Sequence, residues 1–170
     1  MAAMYDVREE HPDEWWEVEA LYDLCFAPGR TALSSYRLRD GVAPVKALSL
    51  VARDADGALA AVIRYWPIEV SGRQVLLLGP IAVHPIHQGE GLGALLMRAS
   101  LKRAKSQGWS RVMLVGDYPY YKRFGFEPLR GVEMPPPTNP DRILKYDLQS
   151  GAWDGIRGQV MKWTRGTSEP

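Results

Sequence analysis

The feature that most constrains this chain is a glycine-rich loop, Gln88-Gly89-Glu90-Gly91-Leu92-Gly93, between an apolar run and a helical pattern. The run Gln74–Val83 is almost entirely apolar, which is typical of a strand buried on both faces. The segment Gly91–Ser106 has the spacing of an amphipathic helix, with an apolar stripe through Leu92, Leu95, Leu96 and Ala99. Glycines let a ligand approach the backbone closely, and the first N–H groups of a helix have no partner within it. The loop therefore predicts an anion site, for which phosphate is the natural occupant.

The segments around the loop predict a mixed α/β fold, with a central mixed sheet and flanking helices. Strands at Leu48–Ala52, Leu59–Val70 and Gln74–Val83, joined by short turns, form an antiparallel meander. The helix Gly91–Ser106 then leads to a strand at Arg111–Val115, and this βαβ crossover makes the last two strands parallel. Further elements are predicted as helices at Asp13–Phe26, Ala32–Arg39 and Pro119–Phe124 and as strands at Ile143–Leu148 and Gln159–Trp163.

Length and composition fit a single domain over residues 1–170, with a core over about 5–163. Charged residues make up 24% of the chain and the net charge is +1, so we expect no nucleic-acid partner. The sequence has neither a signal-peptide pattern nor the ~20 apolar residues of a membrane helix, so we expect a cytoplasmic protein without membrane contact. Cys25 is expected to be a buried thiol. It gives no zinc-site spacing with the three histidines, so we expect no metal.

One interpretation of the loop is a dinucleotide site, because Gly89, Gly91 and Ala94 fit the pattern G-x-G-x-x-A. Five residues, 84–88, separate the apolar run from the first glycine, whereas such a site begins directly after its strand. An acidic partner for the ribose is expected about 20 positions on, and Asp117 comes too late. The preceding meander also differs from the βαβ unit that opens a dinucleotide fold. A P-loop is excluded because no Lys-Ser or Lys-Thr follows the glycines.

The other interpretation is a pyrophosphate loop for coenzyme A, and it depends on a resemblance. The spacing Gln88-x-x-Gly91-x-Gly93 resembles the signature of the GNAT superfamily of N-acetyltransferases. Two flanking motifs also resemble that superfamily: Leu78-Gly79-Pro80-Ile81-Ala82-Val83-His84-Pro85 and Gly116-Asp117-Tyr118-Pro119-Tyr120-Tyr121-Lys122-Arg123-Phe124-Gly125-Phe126. The form Gly-Asp-x-x-Tyr-Tyr looks like one branch of small bacterial predicted acetyltransferases. The resemblance covers about residues 5–163.

The resemblance implies a GNAT-like fold, with acetyl-CoA as co-substrate and direct attack of an amine on the thioester. Two neighbouring parallel strands are expected to splay apart, with the pantetheine arm in the gap. Because Gly79-Pro80 interrupts the strand ladder at a bulge or an edge, backbone groups of Ile81, Ala82 and Val83 are expected to be free for this arm. The remaining cofactor-binding residues are expected to be Gln88, Gly89, Glu90, Gly91, Leu92, Gly93, Asp117 and Tyr120. Tyr121 is the expected general acid, with Tyr120 as the alternative.

The general base and the acceptor stay open at this stage. Glu69, His84 or a water chain could each take the proton of the amine, and none is assigned. The acceptor is an amine on a small molecule, peptide or protein, and its pocket is expected from residues 26–36 and 131–141. Trp15 and Trp16 are adjacent on a helix, so at most one can point fully into the core. The other is expected on a neighbouring loop or on a second subunit of a homodimer.

Two other function classes remain in competition with the acetyltransferase. One is a non-catalytic acyl-CoA-binding regulatory module on the same fold, against which the presence of Tyr121 argues. The other is a nicotinamide-dependent oxidoreductase that uses the loop as a dinucleotide site. Whether NAD or CoA raises the melting temperature separates these two ligands.

Overall fold

The computed structural model describes residues 5–26, 30 and 33–164. The strands are β1 (Asp6–Glu9), β2 (Leu50–Arg53), β3 (Leu59–Val70), β4 (Arg73–Val83), β5 (Arg111–Val115), β6 (Glu127–Pro128), β7 (Val132–Glu133), β8 (Ile143–Asp147) and β9 (Gly158–Lys162). The helices are α1 (Trp15–Cys25), α2 (Ser34–Arg37), α3 (Leu92–Ser106) and α4 (Tyr118–Tyr121). The sheet runs in the order β1-β2-β3-β4-β5-β8-β6, and β9 pairs with both β3 and β7. The predicted mixed α/β sheet with flanking helices is confirmed.

The predicted meander is present as β2, β3 and β4, all antiparallel. An additional strand, β1, extends it by pairing with β2. Only Val7 of Asp6–Glu9 is apolar, so this edge strand has almost no pattern of its own and forms through its pairing. The predicted strand Leu48–Ala52 begins late, because residues 46–48 form a 3₁₀ turn before β2.

Alternating residues of the meander divide the core between the two faces of the sheet. Leu50 and Ile63 pack with Leu96 of α3 on one face. Val51 and Val62 pack with Tyr22 of α1 on the other face. Helices α1 and α3 therefore cover opposite faces, as the two-residue period of strands requires.

Two helices differ from prediction in detail. The inward face of α3 is formed by Leu92, Leu96, Met97, Ser100, Leu101 and Ala104, whereas Leu95 is 46% exposed. The predicted apolar stripe includes Leu95, but the structure turns this side chain outward. Leu95 is next to Leu96 in sequence and lies about 100° away from it around the helix. The second helix is only Ser34–Arg37, shorter than the predicted Ala32–Arg39, whose first residue lies outside the described part.

Strand β4 meets β5 in the predicted parallel arrangement but only briefly. Their register contains two pairs, Leu76 with Val112 and Leu77 with Met113. Beyond Leu77 the two strands no longer pair, although β4 continues to Val83. On its other edge β4 pairs with β3, with a register shift at Gly79-Pro80. The predicted interruption is therefore a bulge, and it lies where β4 leaves β5. Among the described helices, none is long and apolar enough to cross a membrane.

Candidate active site

Three connected clefts lie around the separation of β4 from β5. The loop cleft, about 650 Å³, contains the glycine loop together with Cys25, Tyr120, Tyr121 and Arg123. The central cleft, about 590 Å³, lies between the ends of β4 and β5 and shares Phe26, Ile81, Tyr120 and Tyr121 with the loop cleft. The distal cleft, about 610 Å³, shares Tyr36, Arg39 and Pro80 with the central cleft. The shared residues make the central cleft the neighbour of both other clefts.

The glycine loop has a backbone that only glycine adopts readily. Gly89 and Gly91 have φ of 86° and 80°, and Gly91 is the N-cap of α3. A Cβ atom at Gly93 would lie 3.2 Å from the Tyr120 hydroxyl, so this position also needs a minimal side chain. The first turn of α3 contains no acidic residue, which leaves its positive end uncompensated. These features give the loop cleft the character of an anion site.

The side chain of Glu90 is held away from this helix end by a polar cluster that sequence reasoning missed. Tyr5 donates a hydrogen bond to Glu90, and its hydroxyl lies 3.0 Å from Nδ1 of His87. The other ring nitrogen of His87 lies 3.2 Å from a carboxylate oxygen of Asp54. The hydrogen bond from Tyr5 holds the pKa of Glu90 below its usual value. The cluster thus fixes the loop against β1 and against the β2–β3 turn.

The strand segment Ile81–Val83, whose backbone groups are predicted to be free for the pantetheine arm, lines the loop cleft, but its Val83 carbonyl already has partners. The Cys25 thiol donates to the Val83 carbonyl over 3.4 Å, and the Gln88 amide lies 3.5 Å from the same oxygen. Burial raises the pKa of the Cys25 thiol, which keeps it protonated. Cys25 is half-buried, and it packs beside the cleft as a small apolar residue.

Tyr121 lies where the loop cleft meets the central cleft. Two residues separate helix α4 from β5, and the N–H groups of Tyr120 and Tyr121 both donate to the Asp117 carbonyl at 3.1 Å. A Cβ atom at Gly116 would lie 2.5 Å from the Tyr121 ring, so this glycine lets the ring fold back against β5. Burial raises the pKa of Tyr121 to about 12. Its hydroxyl has no hydrogen-bond partner among the residues described.

The other predicted residues near α4 have different environments. Tyr120 is 37% exposed and packs edge-on against Tyr121, with ring centroids 4.9 Å apart. The Asp117 side chain is largely exposed and pairs with Arg142 at 3.4 Å. Arg123, which sequence reasoning missed, stacks 4.2 Å from the Tyr120 ring and lines the loop cleft. Its place two residues after Tyr121 in the late motif was the available signal.

Neither candidate base lines any of the three clefts. Glu69 lies at the far end of β3, opposite Gln74 at the start of β4. His84 uses Nδ1 to accept a hydrogen bond from the backbone of Ile86, which caps the 3₁₀ turn after β4. Both side chains therefore have positions that suit structural roles.

Of the two segments predicted to form the acceptor pocket, only the first lines a cleft. Arg30, Leu33 and Tyr36 of the first segment line the central cleft, while residues 27–29 and 31–32 lie outside the described part. None of residues 131–141 lines the three clefts. Trp15 and Trp16 are 47% and 71% exposed, so neither enters the core. Trp15 stacks 4.1 Å from the guanidinium of Arg64 and lines the distal cleft.

Comparison with known proteins decides between the interpretations of the loop. Residues 7–126 match the Acetyltransferase (GNAT) family. The chain belongs to this family. The dinucleotide interpretation, with its nicotinamide-dependent oxidoreductase, is therefore wrong.

Individual relatives agree with this membership. YhbS of Escherichia coli K12, named an uncharacterized N-acetyltransferase, is 32% identical over 124 residues, or 71% of this chain and 72% of YhbS. The crystal structure of E. coli YhbS in complex with CoA matches with a TM-score of 0.82 at 27% identity, covering 96% of this chain and 92% of that one. A GNAT family acetyltransferase from Brucella melitensis in complex with acetyl-CoA matches with a TM-score of 0.67 at 25% identity, covering 94% and 96%.

Proposed function

We propose that this chain transfers an acetyl group from acetyl-CoA to the nitrogen of an amine by direct attack on the thioester. The observation that carries the proposal is the position of Tyr121, a protonated phenol at the junction of the loop and central clefts. Membership of the GNAT family supports the reaction class, and two similar structures are complexes with CoA and with acetyl-CoA.

The residues of the loop cleft fit coenzyme A. The backbone N–H groups from Gly89 to Gly93 would hold the pyrophosphate at the uncompensated end of α3. Arg123, over the Tyr120 ring, adds a positive charge beside the same cleft. We assign cofactor binding to the loop residues Gln88, Gly89, Glu90, Gly91, Leu92 and Gly93. Glu90 and Leu92 contribute backbone only, because their side chains contact the Tyr5 cluster and the core respectively.

The gap between β4 and β5 suits the pantetheine arm and the thioester. Ile81, Ala82 and Val83 continue β4 beyond its last pair with β5, so no strand pairs with this edge, although the Val83 carbonyl accepts a hydrogen bond from the Cys25 thiol. Asp117 and Tyr120 would border the cofactor from the opposite side, since both line the central cleft. The thioester would then lie near Tyr121, which lines the same cleft.

Tyr121 supplies the proton that the reaction needs on sulfur. The amine nitrogen bonds to the thioester carbonyl carbon while the bond from that carbon to sulfur breaks. Tyr121 donates a hydrogen bond and then its proton to the departing sulfur, and water restores the phenol. The pKa of about 12 keeps this phenol protonated at neutral pH. The proton of the amine leaves through water in the central cleft, since Glu69 and His84 line none of the clefts.

The test is an acetylation assay with acetyl-CoA and a panel of primary amines, in which product is identified by mass spectrometry and CoA release by thiol titration. The proposal predicts acetylated amine and free CoA in equal amounts. Binding of acetyl-CoA without either product would instead favour the non-catalytic acyl-CoA-binding module.

We also propose a cytoplasmic location, which is supported by a single cysteine that allows no internal disulfide. Cell fractionation tests it. A homodimer that covers Trp16, which is 71% exposed, remains a proposal. Light scattering tests this, and a monomeric mass with Trp16 open to iodide quenching would contradict it.

A further inference from the structure

Arg39 is a buried guanidinium without a carboxylate partner among the described residues. The residue is 8% exposed, and its Nε and Nη1 atoms have no hydrogen-bond partner. Two other arginines are equally enclosed, but both are paired. Arg30 lies 2.9 Å from Asp23, and Arg64 lies 2.8 Å from Glu10. Buried charges are normally paired, so Arg39 is an exception that needs an explanation.

The surroundings of Arg39 are aromatic. Its guanidinium lies 4.4 Å from the Tyr36 ring centroid and 5.5 Å from that of Trp66. The face of an aromatic ring attracts a cation. It offers no hydrogen-bond acceptor to the N–H groups in the plane of the guanidinium. Burial lowers the pKa of Arg39 to about 10, so the group still carries its charge near neutral pH.

Arg39 lies where the central cleft meets the distal cleft, which the proposed position of acetyl-CoA leaves open. It lines both the central and the distal cleft. Its Nη2 atom lies 3.7 Å from the place a Cβ atom would occupy at Gly79, in the bulge where β4 leaves β5. Trp66 also lines the distal cleft, and its buried indole N–H has no partner among the described residues. Two unsatisfied donors thus border one cleft.

The other charged groups of the distal cleft are already engaged or exposed. Glu19 accepts hydrogen bonds from Arg30 and Arg64. Arg37 and Asp40 are exposed, and Arg37 donates to the Pro136 carbonyl. One buried positive charge is therefore left for a ligand. A carboxylate carries a single negative charge and only acceptor atoms, whereas a phosphate monoester carries nearly two charges at neutral pH.

We propose that Arg39 binds a carboxylate of the acceptor, so that the enzyme acetylates small amines that also carry a carboxylate group. Amino acids with different spacing between the amine and the acid are the simplest members of this class. The Trp66 indole N–H supplies a second hydrogen bond to the same anion. The inference rests on the proposed function, because it names the substrate class of that site.

The test compares each amino acid of a panel with its carboxamide, which keeps the amine but removes the anion. For the wild-type protein we expect kcat/KM to favour the carboxylate by about tenfold or more in the best pair. In Arg39→Met this ratio falls to near one, while the KM for acetyl-CoA stays unchanged. Arg73→Gln removes the same charge from an exposed residue that lines none of the three clefts and keeps the preference.

Several results would overturn the inference. Equal use of acid and amide by the wild type, a retained preference in Arg39→Met, or better use of phosphoethanolamine than of any amino acid would each do so. Arg39→Met should fold, because it replaces an unpaired buried charge with an apolar chain. If its melting temperature nevertheless falls, Arg39→Lys, which keeps a charge but loses the planar donor set, should show a reduced preference.

Failure of the proposed function gives a different pattern. It would appear as no transfer from acetyl-CoA to any amine of the panel. Calorimetric titration of the amino acids into the CoA-saturated wild type and Arg39→Met then decides the inference alone. Binding that is lost in the variant supports it. Equal binding in both proteins, or none in the wild type, contradicts it.

Discussion

The Tyr22 hydroxyl donates a 2.8 Å hydrogen bond to the Pro80 carbonyl, which ties helix α1 to the bulge where β4 leaves β5. Tyr22 is fully buried, and burial raises the pKa of its phenol, so it acts as a donor throughout the ordinary pH range. The bulge beside the gap between β4 and β5 is therefore held by a contact from α1, which covers the opposite face of the sheet from α3.

Tyr22→Phe should weaken acetyl-CoA binding, because it releases the bulge while leaving the aromatic packing in place. A loss of about 1 kcal/mol of unfolding free energy is expected for the missing hydrogen bond. Tyr65→Phe is the matched control, since Tyr65 is fully buried and bonds to Ser100 at 2.7 Å on the other face. Both variants should lose similar stability in urea titrations, but only Tyr22→Phe should change calorimetric acetyl-CoA affinity. Equal affinities in the two variants would show that the bulge does not need this contact.

Gly91→Asp should weaken acetyl-CoA binding by about tenfold more than Gly91→Asn. The two side chains have the same shape, and asparagine tolerates the left-handed backbone, so their difference isolates a negative charge at the phosphate loop. The same pair at Gly57, a turn glycine with φ of 82°, controls for charge and backbone strain elsewhere. Calorimetry on folded variants measures the effect. Indistinguishable affinities for the two Gly91 variants would remove the pyrophosphate from this loop.

Tyr121→Phe should lower kcat by ~10²–10⁴-fold with acetyl-CoA affinity little changed, because it removes the proton donor and keeps the ring. The raised pKa of about 12 means that the acid form persists from neutral to alkaline pH. The wild-type kcat should therefore show no fall between pH 7 and 9 from loss of this proton. Tyr118→Phe, in the same helix but outside the clefts, is the control. If Tyr121→Phe keeps its kcat, Tyr120→Phe becomes the variant to measure.

Acid stability should depend on Glu14, which is buried between Arg8 and Arg53 at 2.7 and 3.0 Å. Burial alone would raise the pKa of Glu14, but hydrogen bonds from both arginines outweigh it and hold the pKa at about 2, against a reference of 4.5. A lowered pKa stabilises the fold above about pH 4.5, and this contribution is lost as the pH falls towards 2. Between pH 5 and 3, urea titrations should show the wild type losing about 2 kcal/mol more than Glu14→Gln. Parallel losses in both proteins would contradict this.

The local patterns of the sequence were enough for the central part of the fold. An apolar run, a glycine loop and a helical pattern follow one another in Gln74–Ser106. Each of these patterns can be recognised from a few consecutive residues. Pro80 alone predicted the interruption of the strand ladder, because proline has no backbone N–H to donate. The parallel pairing of β4 with β5 then followed from the length of the crossover between them.

The remaining parts depend on contacts between residues far apart in the chain. Tyr5 meets Glu90 across 85 positions, and nothing in either neighbourhood indicates it. That Arg39 has no carboxylate partner among the described residues is likewise invisible in sequence. Arg30 and Arg64 also lie against aromatic rings, but each contacts a carboxylate. Strand β1 could not be predicted for the same reason, because it forms through its pairing with β2. These are properties of the assembled structure.

The role given to Tyr121 requires that the acetyl group pass from acetyl-CoA to the amine without stopping on the protein. The most direct measurement is mass spectrometry of protein and small molecules sampled together during turnover with acetyl-CoA and an active amine from the panel. Direct transfer predicts acetylated amine that accumulates with free CoA while the protein keeps its unmodified mass. An acetylated protein that forms and decays at the rate of turnover, with the acetyl group on Cys25, would contradict direct transfer.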